Sequence, residues 1–182
     1  MRSFTDTKHI ENYRNWLEHE LAPNVYAVAT LKQAIKVDHK GSAFSIPGDP
    51  HIYESGYDQF IRRLSRRIYG RAYRRYGKII PNATTLEGSG AGHRLTNRRH
   101  RASLTFMDSV QGVGDGVRYH LNFMLRRPDW LPFEELRSCF MEVWHRSDWA
   151  MPDVFQEERT GDCIAYALKD GPQTLLTHSL SF

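Results

Sequence analysis

Residues Val117–Leu125 read VRYHLNFML, and the fold is read outward from them. Tyr119, Leu121, Phe123 and Leu125 alternate with Arg118, His120, Asn122 and Met124. That period of two marks a β-strand, with alternate side chains on opposite faces of a sheet. Downstream, Pro132–His145 carries Phe133, Leu136, Phe140, Val143 and Trp144 at helical spacing. A brief strand at Val154–Glu158 follows, and then a helix at Asp162–Lys169 stopped by Gly171-Pro172. Upstream, Gly88–Gly116 is a stretch rich in Gly, Arg and His with a possible short strand at Ala102–Met107. Before it, Lys78–Glu87 reads as a strand with a broken start, and Ser55–Tyr76 as the clearest helix of the chain. Lys36–Glu54, with Gly41, Pro47, Gly48 and Pro50, reads as a loop. Val25–Ile35 reads as the first strand, and Asp6–Leu21 as an amphipathic helix ended by Pro23-Asn24. Helices and strands interleave along the whole chain, with no repeat. The expectation is one α+β domain over residues 1–182, a single central antiparallel sheet flanked by helices. The N-terminal helix, residues 5–22, is expected as an appendage, and 88–116 as a basic insertion.

Charge is distributed unevenly. Residues 62–127 hold 15 of the 25 Lys and Arg but three of the 21 acids, Glu87, Asp108 and Asp115. The remaining ten basic and 18 acidic residues lie in the flanks. A net +4 therefore conceals a basic middle third, which points to a polyanionic partner. Seven arginines, Arg62, Arg63, Arg66, Arg67, Arg71, Arg74 and Arg75, fall between the apolar positions of the 55–76 helix. No acid follows until after Gly77. A solvated surface helix ordinarily mixes signs for i,i+4 support; a face of one sign repels itself unless an anion such as a nucleic-acid backbone covers it. Arg94, Arg98, Arg99 and Arg101 add to this charge in the insertion. With 40% apolar and 12% aromatic residues the composition is globular. Cys139 and Cys163 lack zinc-site spacing and cannot make a disulfide framework. The sequence has no run of 18 apolar residues, and Met1–Glu11 is polar and charged. A soluble protein of the reducing cytoplasm, without membrane contact, is expected.

Three groups of residues can carry chemistry. His120 and Asn122 lie two apart on a strand and share a face, so an imidazole and an amide oxygen could converge on one ion; a strand histidine is otherwise a structural residue. Glu87 precedes Gly88-Ser89-Gly90 and is ordinarily a surface acid. Beside His120 and Asn122 it would complete a mixed N/O set suited to Mg²⁺ or Mn²⁺. Tyr166 and Lys169 share a helical face at i,i+3, with Asp162 at i−4. A tyrosine ionises near pH ~10 and needs a neighbouring cation or a metal-polarised phosphate to act as a nucleophile. Core packing of the ring and a solvated lysine are the alternative.

The order of these elements resembles that of the replication-initiator branch of the HUH single-strand DNA endonucleases, the rolling-circle initiators of plasmids, phages and small DNA viruses. The resemblance covers about residues 24–172. Val25–Gln33 would match the family's first-strand motif, and Arg118–Phe123 its His-hydrophobe-His or His-hydrophobe-Gln metal motif, with Glu87 as the upstream acidic ligand. Tyr166 and Lys169 would match its YxxK motif. The resemblance implies an RRM-like nuclease fold and metal-dependent nicking and joining of single-stranded DNA, with Mn²⁺ or Mg²⁺ on Glu87, His120 and Asn122. It also implies Tyr166 as the nucleophile forming a 5′-phosphotyrosine, Lys169 stabilising negative charge, and the arginines of the 62–75 helix and of 94–101 on the DNA backbone. Asp162 would be a fourth ligand or general base, or else a helix-dipole partner. Two departures stand out. Asn122 replaces the usual second histidine, and the 88–116 insertion is longer than a hairpin needs. The sequence has no GxxxxGK[ST], so a helicase would be a separate partner. The competing expectations are a non-catalytic single-stranded nucleic-acid-binding module with a degraded metal site, a related tyrosine transposase, and an unrelated RNA-binding α+β domain.

Overall fold

The computed structural model describes residues 4–89, 118–158, 162–169 and 174–176. In chain order its elements are α1 (Phe4–Glu20), β1 (Val25–Leu31), β2 (Ala34–His39), β3 (Ser42–Pro47), α2 (Pro50–Tyr69), α3 (Arg71–Tyr76), β4 (Asn82–Ser89), β5 (Arg118–Leu125), α4 (Phe133–Trp144), β6 (Ala150–Glu158) and α5 (Cys163–Ala167). Four strands form one antiparallel sheet in the order β4-β5-β1-β6, and β2 and β3 pair separately as a hairpin. This is the expected α+β architecture with a central antiparallel sheet between helices.

The strand read first, β5, lies inside the sheet, and its alternation sorts the two layers. Leu121, Phe123 and Leu125 join Val25, Ala27, Ala29 and Leu86 in a core closed by Tyr57, Phe60 and Leu64 of α2 and Leu136, Phe140 and Trp144 of α4. On the opposite face Tyr26, Ala83 and Met124 pack against Leu17 and Leu21 at the end of α1 and Cys163, Ile164 and Ala167 of α5. Each fully buried Leu or Phe contributes about 1.5–3 kcal/mol by leaving water, so both helical layers are integral. That includes α1, expected as an appendage, whose Leu17 is 0% exposed, as is Leu21 just after it. Cys139 and Cys163 fall in different cores and are both free. No helix of the described residues is long and apolar enough to cross a membrane.

Three local readings are corrected. The expected loop at 36–54 holds the β2–β3 hairpin and the first turn of α2. Lys40 and Gly41 both have positive φ, 53° and 79°, between the paired His39 and Ser42. That is the two-residue turn whose twist suits a hairpin, here with Lys in place of the usual Asn or Asp. The expected strand at 25–35 accordingly divides into β1 and the start of β2. The 55–76 helix begins earlier, because Asp49 accepts hydrogen bonds from the His51 and Ile52 amides at 2.8 and 3.1 Å ahead of Pro50. It also breaks at Gly70, where φ is 52°.

Several polar groups on the α2 side of the sheet are paired, Thr84 Oγ1 being a buried exception. Ser65 donates to the Ile61 carbonyl and accepts from the Ile80 amide, tying α2 to the entry of β4. The Tyr57 hydroxyl donates to Asn82 Oδ1, and the Tyr53 hydroxyl donates to the Lys32 carbonyl at 2.9 Å. Burial pushes both phenols well above the ordinary tyrosine range. In the unfolded chain they ionise near pH ~10. The folded state retains their protons, so the stability they contribute is complete below that pH and lost as pH rises toward their folded values. Urea midpoints are therefore expected to fall between pH 9 and 11, and to fall less in Tyr57→Phe. At pH 8 that variant should be less stable by about 1–3 kcal/mol, because Asn82 Oδ1 loses its donor.

Candidate functional site

The β4–β5 register places Glu87 directly opposite His120 and Thr85 opposite Asn122. On the other side of β5, Thr30 faces His120 and Val28 faces Asn122. Glu87, His120 and Asn122 therefore share one sheet face, the face packed by α1 and α5. Directly paired residues on antiparallel strands have Cβ atoms about 4.5–5.5 Å apart, so Glu87 and His120 are placed as neighbours. The Glu87 side chain lies outside the described residues. Among the described residues no three His, Cys, Asp or Glu side chains form a metal-binding cluster.

Asn122 is 0% exposed, and both ends of its amide are engaged. Its Oδ1 accepts from the Tyr26 hydroxyl at 2.8 Å, and its Nδ2 donates to Thr85 Oγ1 at 3.1 Å. Tyr26 pairs with Met124, on the side of Asn122 away from His120. The amide oxygen thus already accepts one hydrogen bond, from a buried phenol. A carboxylate, a half-exposed imidazole and an amide oxygen are donor types that a Mg²⁺ or Mn²⁺ ion keeping several waters accepts. Asn122→Ala leaves two buried hydroxyls without their partner, at about 1–3 kcal/mol for each group orphaned. His120→Ala, on the half-exposed part of the face, should cost less than about 1 kcal/mol. Equal losses in urea unfolding would show that His120 is as structural as Asn122.

Tyr166 overhangs this network. Its ring is 51% exposed and meets the Tyr26 ring edge-on, with centroids 6.3 Å apart. Lys169 Nζ lies 3.9 Å from the Tyr166 ring centroid, so the expected Tyr-Lys pair meets in space although α5 ends at Ala167. The ammonium sits over the ring as a cation–π contact. Asp162 has a different occupation. It caps α5 by accepting from the Ala165 amide at 3.0 Å, and it pairs with Arg14 of α1. This is the helix-dipole role.

The arginines do not join this site. Arg62, Arg63, Arg66, Arg67, Arg71, Arg74 and Arg75 are exposed on α2 and α3, and α2 packs on the other face of the sheet. Their helix is also less one-signed than its sequence implied. Arg62 pairs with Asp58 at 2.8 Å, and Arg67 with Glu142 of α4 at 3.0 Å. Tyr73 and Tyr76 lie under the guanidinium groups of Arg66 and Arg75, and Tyr69 under the Lys78 ammonium. Arg94, Arg98, Arg99 and Arg101 lie outside the described residues, as does the possible strand at 102–107.

Sequence reasoning missed Tyr26 and Thr85, which hold Asn122, and Phe155, 54% exposed on the same face. The alternation of β1 places Tyr26 and Val28 on one face. That Tyr26 reaches Asn122, 96 residues away, depends on the strand order. No protein-family model, curated protein or solved structure matches the chain.

Proposed function

We propose that this chain nicks and rejoins single-stranded DNA through Tyr166, in the manner of the HUH replication initiators that its motif order resembles. The observation that carries the reading is the register: Glu87 opposite His120 on the sheet face that the exposed Tyr166 ring overhangs. Glu87 and His120, with Asn122 beside them, would hold Mg²⁺ or Mn²⁺, and the bound ion would neutralise charge on the scissile phosphate. Tyr166 Oη attacks phosphorus, forming the tyrosine O–P bond as the bond from phosphorus to the 3′ oxygen breaks. The phenol proton is lost, and the departing 3′ oxygen gains one. By family resemblance the product is a 5′-phosphotyrosine with a free 3′-OH, and reversal rejoins the strands. Lys169 stabilises negative charge on the phenolate and the phosphate. Val28, Thr30 and His120 are half-exposed and Phe155 is exposed, leaving sheet surface for a strand to lie on. The setting we assign is rolling-circle replication of a plasmid or phage in the cytoplasm, with a separate helicase.

The test is incubation with single-stranded oligonucleotides and Mn²⁺, followed by a denaturing gel. The expected result is a covalent adduct that EDTA abolishes. An adduct that forms equally in EDTA overturns the metal-assisted reading.

A second reading has its own observation. The amide of Asn122 is buried and engaged by Tyr26 and Thr85, as in a non-catalytic single-strand-binding module of the same fold. Binding of single-stranded DNA without adduct, together with no Mn²⁺ binding in calorimetry, favours that module.

A further inference from the structure

The arginines of α2 lie at a groove on the side of the sheet away from Tyr166. Arg63, Arg66 and Arg67 of α2 and Glu142 and Arg146 at the end of α4 line a groove of about 470 Å³. It continues into a cleft of about 440 Å³ walled by His51, Asp148 and Trp149, with Arg63 and Arg146 lining both. Together the two are lined by four guanidinium groups and two carboxylates, Glu142 and Asp148.

Glu142 organises the slot. Its Oε2 accepts from Arg67 Nε at 3.0 Å, and its Oε1 accepts from Arg146 Nη2 at 2.8 Å. One carboxylate therefore clips an arginine from each wall, and each keeps N–H groups for a further acceptor. Arg63 and Arg66 have no carboxylate partner among the described residues. Every cation between Ser55 and Tyr76 is arginine, the side chain whose planar fork matches phosphate oxygens in pairs. At the far end, half-exposed Trp149 stands edge-on to Tyr53, beside Gly56, which has no side chain to cover it. A cationic slot ending at an aromatic wall matches a phosphodiester backbone with a base to stack. Its concavity admits one strand, whereas a duplex rests on a protruding element such as a helix laid in its major groove.

We infer that the α2–α4 groove is a second nucleic-acid site, which binds a stretch of single strand distinct from the stretch lying at Tyr166. Binding there requires neither metal nor cleavage. The test uses the full chain carrying Tyr166→Phe, without metal, titrated into fluorescent oligonucleotides over a range of salt. Adding Arg63→Ala and Arg66→Ala should weaken binding of a long single strand about tenfold at low salt and reduce the salt slope by about 1.4, at about 0.7 per lost contact. Trp149→Ala should weaken it further without changing the slope. With Tyr166 restored, the arginine variant should nick a short oligonucleotide as the parent does. Since Arg63 and Arg66 are exposed, urea midpoints should be unchanged. An unaltered slope and affinity overturn the inference. So does an equal or larger loss on duplex DNA, which would make the groove a duplex dock. Competition by polyglutamate as effective as that by single-stranded DNA also overturns it, since the slot would then recognise acidic chains in general. Failure to nick, with the salt slope lowered as expected, would count against the Tyr166 reading alone.

Discussion

Tyr166→Phe is expected to abolish the covalent oligonucleotide adduct completely while leaving the urea midpoint within about 0.5 kcal/mol of the parent. The loss should be total because the substitution deletes the attacking oxygen; a phenyl ring offers no other nucleophile. The fold should survive because Tyr166 is half exposed and its packing is by the ring, edge-on to Tyr26 and under Lys169. Single-strand binding should be retained, which separates lost chemistry from lost affinity. Tyr26→Phe is the informative contrast. That hydroxyl is buried and donates to Asn122, so its removal should lower stability by about 1–3 kcal/mol and leave adduct formation measurable. An adduct that persists in Tyr166→Phe would remove this residue from the mechanism.

Phe123→Ala is expected to be among the most destabilising of the single changes considered, at about 3–5 kcal/mol. The Phe123 ring meets Tyr57 and Phe60 of α2 at centroid distances of 5.8 and 5.4 Å, and Phe140 and Trp144 of α4 at 5.1 and 6.1 Å. It is 0% exposed, so truncation leaves a cavity at the point where both helices are fastened to β5. Domains of this kind have about 5–15 kcal/mol of stability in total, so the variant should be partly unfolded near physiological temperature. Because Phe123 is adjacent to Asn122 on the strand, adduct formation should decline with the folded fraction. Phe155→Ala, exposed on the opposite face, should cost no more than about 0.5 kcal/mol. A loss below about 1.5 kcal/mol for Phe123→Ala in urea or thermal unfolding would contradict the aromatic core described above.

Elements with strong internal periodicity were legible from sequence. β5 and α4 lie within one residue of where alternation and helical spacing put them, because each sends a continuous apolar row into one core, Leu121, Phe123 and Leu125 from β5 and Leu136, Phe140 and Trp144 from α4. The β2–β3 hairpin was not legible. Its residues are mostly exposed or half-exposed, so burial writes little alternation into them, and its turn uses Lys40 where Asn or Asp would have signalled it. β6 begins four residues before its expected start and runs through Pro152, which an edge strand tolerates and which obscured the pattern.

The same division holds for the site. That His120 and Asn122 share a face follows from strand periodicity, and that Tyr166 and Lys169 meet follows from their close spacing; both are local geometry. Strand order and layer are decided by contacts between segments remote in the chain, and local pattern does not encode them. Only the tertiary structure set Glu87 opposite His120 across the long connection between β4 and β5, and engaged the Asn122 amide with Tyr26 and Thr85. It alone placed the arginine helix on the far side of the sheet from Tyr166. A basic face can be counted from sequence, but which surface it shares depends on the layer that buries its apolar stripe, here the core of Tyr57, Phe60 and Leu64 against Phe123.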